Sequence, residues 1–193
     1  SGAASDIDND GWIDLYLGNG GPKMDRRDPD VLYRNMGDGT FSDITDLIGL
    51  GHIGKSHGIT FADYDADGDT DLYVPSGGAL SGDFWHNVLY RNVGDVGRFF
   101  VLRLEGRVSN RDGIGARVQL ECDAMIQTRF VESGNSFGNG NSLELEIGLG
   151  DCENIAHVEI QWPGGQVDRF SKPPVNSWWV AVEGAEYLRK VIH

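Results

Sequence analysis

Nine aspartates in two short stretches are the residues best placed to do chemistry. Asp63, Asp65, Asp67, Asp69 and Asp71 occupy every second position from 63 to 71, with Gly68 at the sixth place of the stretch. Asp6, Asp8, Asp10 and Asp14 take places one, three, five and nine of an earlier stretch, with Gly11 again at place six. Carboxylates packed this closely repel one another unless a counter-ion joins them. A hard cation that accepts about six to eight oxygens meets that need, and Ca2+ fits better than Mg2+, which demands stricter geometry and holds its water. The expected ligands are the carboxylates of Asp6, Asp8, Asp10 and Asp14 with the main-chain carbonyl of Trp12, and the carboxylates of Asp63, Asp65, Asp67 and Asp71 with the carbonyl of Asp69. Glycine at place six permits the sharp turn that gathers them. Two calcium sites are therefore expected. A solvated acidic turn is the competing explanation, and the recurrence of the same spacing weighs against it.

The loops must be held by strands. An EF-hand carries glutamate at place twelve and helices on both sides; here place twelve is Leu17 in one loop and Val74 in the other. Leu15-Tyr16-Leu17 and Leu72-Tyr73-Val74 read instead as short strands leaving each loop. A second landmark, Leu32-Tyr33-Arg34-Asn35, returns as Leu89-Tyr90-Arg91-Asn92 at the same offset of 57 residues that separates Asp6 from Asp63. Two landmarks at one offset define an internal repeat. Each unit reads as strand, acidic loop, strand, variable loop, strand, glycine turn (Gly37-Asp38-Gly39 or Gly94-Asp95) and a last strand opened by Phe41 or Phe99. That is the content of one four-stranded propeller blade. Only Ser1 to Ser5 stand where Gly58 to Ala62 lead into the second loop, so the first unit is expected to lack most of its leading strand. Two blades also leave sheet edges that recruit further strands, from the rest of the chain or from another copy.

Phe61-Ala-Asp-Tyr-Asp-Ala-Asp-Gly-Asp-Thr-Asp-Leu-Tyr-Val74, followed by Asn87-Val-Leu-Tyr-Arg-Asn-Val-Gly-Asp95, resembles the FG-GAP/VCBS repeat. The resemblance spans residues 1–98, as units of about 1–50 and 51–98, and implies integrin-α-like propeller blades with a calcium loop in each and a non-catalytic role in adhesion and recognition. Residues 99–193 change character: alternating strands at Phe100–Glu105, Ala116–Cys122, Ile126–Glu132, Leu143–Ile147, His157–Trp162 and Trp178–Val182 predict a small antiparallel β-sandwich. Ser109-Asn-Arg-Asp-Gly-Ile-Gly-Ala-Arg-Val118, Gly148-Leu-Gly-Asp151 and Val158-Glu-Ile-Gln-Trp-Pro-Gly-Gly165 resemble the ASPIC/UnbV domain. That domain follows FG-GAP/VCBS repeats in secreted bacterial proteins and in cartilage acidic protein. The fold class expected is all-β.

Formal net charge is −14, with 30 acidic against 16 basic residues, which argues against nucleic acid as partner and against docking on anionic lipid. No run approaches the ~20 apolar residues of a membrane span. The chain shows no signal peptide; one is expected to have been removed, or the chain to be part of a longer one. Cys122 and Cys152 allow one disulfide or two buried thiols. Loops of this kind need millimolar calcium, which points outside the cell. Other candidates carry less. His52, His57 and His86 lack a metal-ligand spacing. Asn110, Arg111 and Asp112 read as a turn, with Asp112 capping backbone amides. Trp162, Trp178 and Trp179 offer rings that could stack on sugar; the last two fall on opposite faces of a strand, so at most one is core, and packing is the favoured reading over a sugar platform. The variable loops, 18–31 (with Pro22, Lys23, Arg26, Arg27 and Pro29) and 75–88 (with Trp85 and His86), could receive a partner, although ordinary solvent loops are the favoured reading of such long connections. No nucleophile elbow or zinc-protease motif occurs, so catalysis is not expected. The function expected is an extracellular calcium-binding structural or adhesive protein, a self-assembling subunit of a cell-surface fibre or matrix. The alternative is a calcium-dependent module that binds carbohydrate or another extracellular protein.

Overall fold

The computed structural model describes residues 1–20, 28–77, 81–82, 84–95, 97–135 and 137–192. Pro22, Lys23, Arg26 and Arg27 of the first variable loop lie outside the described residues. The chain is almost entirely β, its only regular helix among the described residues being the single turn Thr45–Ile48 (α1), where Gly49 closes the turn in the left-handed region. Among the described residues no helix is long and apolar enough to cross a membrane.

Blade 1 is the antiparallel sheet β1 (Gly2–Ser5), β2 (Asp14–Leu17), β3 (Val31–Asn35) and β4 (Phe41–Asp43), paired in chain order. Blade 2 is β5 (Thr60–Ala62), β6 (Asp71–Val74) and β7 (Val88–Tyr90). The arrangement is propeller-like, with two differences from the expectation. Residues Gly2–Ser5 do form the leading strand of blade 1, in register with Asp14–Leu17. Among the described residues blade 2 has no fourth strand: β8 (Arg98–Glu105) enters the other half of the molecule. Its composition explains why. Phe99, Phe100, Val101, Leu102 and Leu104 are all buried, so β8 has apolar residues on both faces. The outer edge of a two-faced blade would leave half of them in water.

The second half stacks two four-stranded sheets. One contains β9 (Arg117–Cys122), β10 (Met125–Phe130), β12 (Ile155–Gln161) and β13 (Val167–Ser171); the other contains β8, β11 (Leu145–Gly150), β14 (Ser177–Val182) and β15 (Arg189–Lys190). Strands β13 and β15 were not among those expected from sequence. The sandwich is not wholly antiparallel, because β14 pairs parallel with β8, from Ser177 on Phe100 to Val182 on Glu105. Alternating side chains report which face is buried and carry no strand direction. Between the sheets lie Phe100, Leu102, Leu104, Val118, Leu120, Ile147, Leu149, Val158, Ile160 and Trp162. Cys122 and Cys152 meet in this core as a disulfide spanning 30 residues, of the kind that contributes about 3 kcal/mol through the unfolded chain.

The two halves are joined along the inner edges of the blades. The amide of Ser142 donates to the Phe61 carbonyl at 3.1 Å, and the amide of Phe61 donates to Asn141 Oδ1 at 3.0 Å. Asn141 Nδ2 donates to the carbonyl of Ala4 at 3.0 Å, and Asn139 Nδ2 to Thr60 Oγ1 at 3.0 Å. The inner edges that the sequence left open are thus covered by residues 139–142 of the same chain.

Candidate metal centres

Both acidic loops join the first and second strands of a blade, and both have one backbone course. Place four is left-handed in each, Asn9 at φ 56° and Ala66 at φ 58°; place six is Gly11 at φ 94° and Gly68 at φ 97°. The first carboxylate of each loop accepts the amides of places five and six: Asp6 from Asp10 (3.1 Å) and Gly11 (2.9 Å), Asp63 from Asp67 (3.1 Å) and Gly68 (3.0 Å). The ninth accepts the amide of place two and that of an asparagine across the blade. Asp14 takes Ile7 (3.1 Å) and Asn35 (2.7 Å); Asp71 takes Tyr64 (3.0 Å) and Asn92 (2.8 Å). Places one and nine are therefore anchored before any ion is considered.

This scaffold brings carboxylate oxygens of Asp6, Asp8 and Asp14 within 4.8 Å of one another, and does the same for Asp63, Asp65 and Asp71. Asp10 and Asp67, at place five, stand aside from these triads. Each accepts the amide of place seven, Trp12 to Asp10 at 2.9 Å and Asp69 to Asp67 at 3.3 Å. Each also faces the arginine of the repeated Leu-Tyr-Arg-Asn landmark. Arg34 lies 2.6 Å from Asp8 and 3.0 Å from Asp10; Arg91 lies 2.6 Å from Asp65 and 3.4 Å from Asp67. The signal was the Leu-Tyr-Arg-Asn tetrad itself, whose arginine and asparagine both return to the loop. Place seven separates the loops: Trp12 is half exposed, whereas Asp69 is buried beside Asp67.

The electrostatics reflect crowding in poor solvent. Burial pushes Asp6 up to about 7, with Asp10, Asp8 and Asp14 adding to the rise. Asp14 is pushed up to about 6 and Asp69 to about 7, burial again leading and neighbouring aspartates following. Asp8, Asp63 and Asp71 shift upward for the same first reason. Oxygens Oδ1 of Asp8 and of Asp69 are buried without a hydrogen-bond partner. An all-oxygen donor set, carboxylates that resist ionisation together and orphaned oxygens beside them fit a hard divalent cation.

The second domain closes over both loops. A Cβ on Gly68 would collide with the ring of Phe99, and one on Gly148 would collide with Asp6 Oδ2 and the backbone of Asn9. The amide of Gly150 donates to the Asn9 carbonyl at 2.8 Å, and Glu146 Oε1 accepts the amide of Asp63 at 3.0 Å. Strand β11 thus touches both loops. Asn9 Nδ2 donates to the Gly68 carbonyl at 2.9 Å, and Asn92 Nδ2 to that of Ile7 at 2.8 Å, so the loops also hold each other.

The remaining candidates fall elsewhere. His52 Nε2 lies 3.1 Å from Ser76 Oγ, and none of His52, His57 and His86 joins an acidic triad. In the turn at 109–115 the cap is Asn110, not Asp112: Asn110 both accepts from and donates to the backbone of Ile114, while Arg111 and Asp112 are exposed. Glu183 locks the same turn by accepting the amides of Arg107, Val108 and Ser109 and the Ser109 hydroxyl. Trp162 is buried and donates to Asp168; Trp178 meets Phe99 edge to face at 4.7 Å; Trp179 packs on the sandwich core. Both Trp178 and Trp179 are half-buried, so packing engages both faces of the strand.

Stacked blades with repeated acidic loops, followed by a sandwich, define a two-part repeat protein. The family model for an FG-GAP-like repeat matches residues 6–74, and the ASPIC and UnbV model matches residues 106–187. The chain carries an FG-GAP-like repeat region followed by an ASPIC/UnbV domain. No curated protein matches it.

Proposed function

We propose that this chain is an extracellular calcium-binding structural or adhesive protein that assembles with further copies of itself into a surface fibre or matrix. The observation that carries the calcium reading is the pair of matching acidic triads, each built on the same hydrogen bonds from amides of its own loop and an asparagine across the blade. Asp6, Asp8 and Asp14 hold one ion, and Asp63, Asp65 and Asp71 the other. Asp10 with the carbonyl of Trp12, and Asp67 with that of Asp69, supply the further oxygens such an ion takes. The role of the ion is structural. It neutralises carboxylates that otherwise oppose folding, and it does so where β11 seats the second domain on the blades. The Cys122–Cys152 disulfide fits an oxidising compartment, and millimolar calcium is available outside cells.

Calorimetric titration of the chelator-treated chain tests this. About two calcium ions per chain should bind. Calcium at about 100 times its Kd should add about 2.7 kcal/mol per site to stability. Absence of heat, with an unchanged melting temperature in millimolar calcium, would overturn the reading.

A further inference from the structure

The two blades stack with opposite faces. Residues 57 apart in sequence occupy equivalent places, so each burial can be compared directly. Blade 1 buries the face of Ala3, Tyr16 and Leu32; in blade 2 the same face is half-buried at Thr60 and open at Tyr73 and Leu89, with Tyr73 at 38% and Leu89 at 50% exposure against 0% for Tyr16 and Leu32. Blade 2 buries the other face, Phe61, Leu72, Val74 and Tyr90. Its counterparts in blade 1 are Ala4, Leu15, Leu17 and Tyr33, of which Leu15 and Leu17 are 37% and 41% exposed against 3% and 0% for Leu72 and Val74. The internal interface is therefore front to back, and each end of the stack displays the half that its own partner lacks.

The open back of blade 1 is mostly apolar and extends to Val31 and Phe41, which share the face of Leu17 and of Tyr33 through strand register, with Asn35 and exposed Asp43 as the polar residues along its β3–β4 side. Beside it runs a groove of about 440 Å3 whose far wall is Phe130, Glu132 and Glu144 of the second domain. We propose that the open front of blade 2 in one copy, Tyr73 and Leu89, docks on the open back of blade 1 in the next, Leu15, Leu17 and Tyr33. The contact deepens the assembly reading above by repeating the interface already present inside each chain. Such a contact joins unlike surfaces, so it need not close and propagates as a series. The formal charge of −14 opposes it, and two bound calcium ions would bring each copy to about −10 (−14 + 4), so salt and calcium both favour the series.

Sedimentation of the full chain in millimolar calcium and ~0.15 M salt, from low to high micromolar, tests the contact, with variants that block one end each. Wild type should give species growing with concentration. Leu17→Asp keeps a front and loses the back; Leu89→Asp keeps a back and loses the front. Each alone should remain a monomer, and an equimolar mixture should form a dimer and stop there. Calcium titration of each variant separates the two readings, since both substitutions lie outside the loops and should leave about two ions bound. A wild-type chain that stays monomeric throughout, with calcium bound, would overturn the contact and assign these faces to blades from another source while leaving the calcium reading intact. Wild-type assembly that survives both substitutions would also overturn it.

Discussion

Tyr16 and Tyr73 hold the same place in successive blades, yet one is sealed in the core and the other faces water. Asp14 and Asp71 also hold equivalent places, and both are buried and anchored by the same two kinds of amide. Loop structure is local: nine residues and one asparagine across the sheet determine it, so it repeats faithfully. Face burial depends on what stands next to the blade, and each blade has a neighbour on one side only. The lesson of the pair is that a repeat copies its loop but borrows its core.

The sharpest way to break this comparison is a crossed set of truncations, read by denaturant unfolding of dilute protein in calcium. Tyr16→Ala removes a buried ring whose hydroxyl donates to Asp30 at 3.1 Å, and should cost about 3–5 kcal/mol. Tyr73→Ala should cost about 1 kcal/mol or less. The order should invert on the other face, with Leu72→Ala costing about 2–5 kcal/mol and Leu15→Ala about 1 kcal/mol. Equal costs within either pair would mean that the stacking is not front to back.

The loops should instead respond alike. Asp14→Asn and Asp71→Asn should each lower calcium stoichiometry in calorimetry from about two to about one, and each should remove roughly half of the calcium-dependent rise in Tm. Unequal losses would show that β11 or place seven makes one site dominant. A pH series on the metal-free chain sharpens the same point. Asp6 and Asp14 in blade 1 and Asp69 in blade 2 have folded values of about 7, 6 and 7 against 3.8 for the free side chain. The folded chain holds these protons more tightly than the unfolded chain. Their stabilising contribution is thus complete below about pH 4 and is lost as pH rises through 6 to 7. Without calcium, Tm should fall between about pH 4 and pH 7 and level off above; with saturating calcium that fall should flatten, because the ion replaces the protons. The smallest effect expected is from Arg34→Ala and Arg91→Ala. These solvent-screened pairs should leave Tm nearly unchanged, and their loss should tighten calcium binding slightly by freeing Asp10 and Asp67.

Much of this molecule is legible in a single chain of residues. The spacing of aspartates with Gly11 and Gly68 marked the loops because a left-handed turn at place six has one cheap residue. The offset of 57 marked the blades, and alternation marked most strands of the sandwich, whose buried faces are set by period two alone. Tertiary structure decided what depends on neighbours distant in sequence. Strand β8 left blade 2 because its two apolar faces needed two partners. The β8–β14 pair runs parallel because hydrogen-bond direction leaves no trace in side-chain type. Cys122 met Cys152 because β9 and the turn after β11 converge in one core. Place five turned toward arginine, and Asp69 turned inward where Trp12 turned out. Which face of each blade lies in water was set by stacking, a choice that the residues shared by the two repeats, such as Leu15 and Leu72 or Tyr16 and Tyr73, cannot make for themselves.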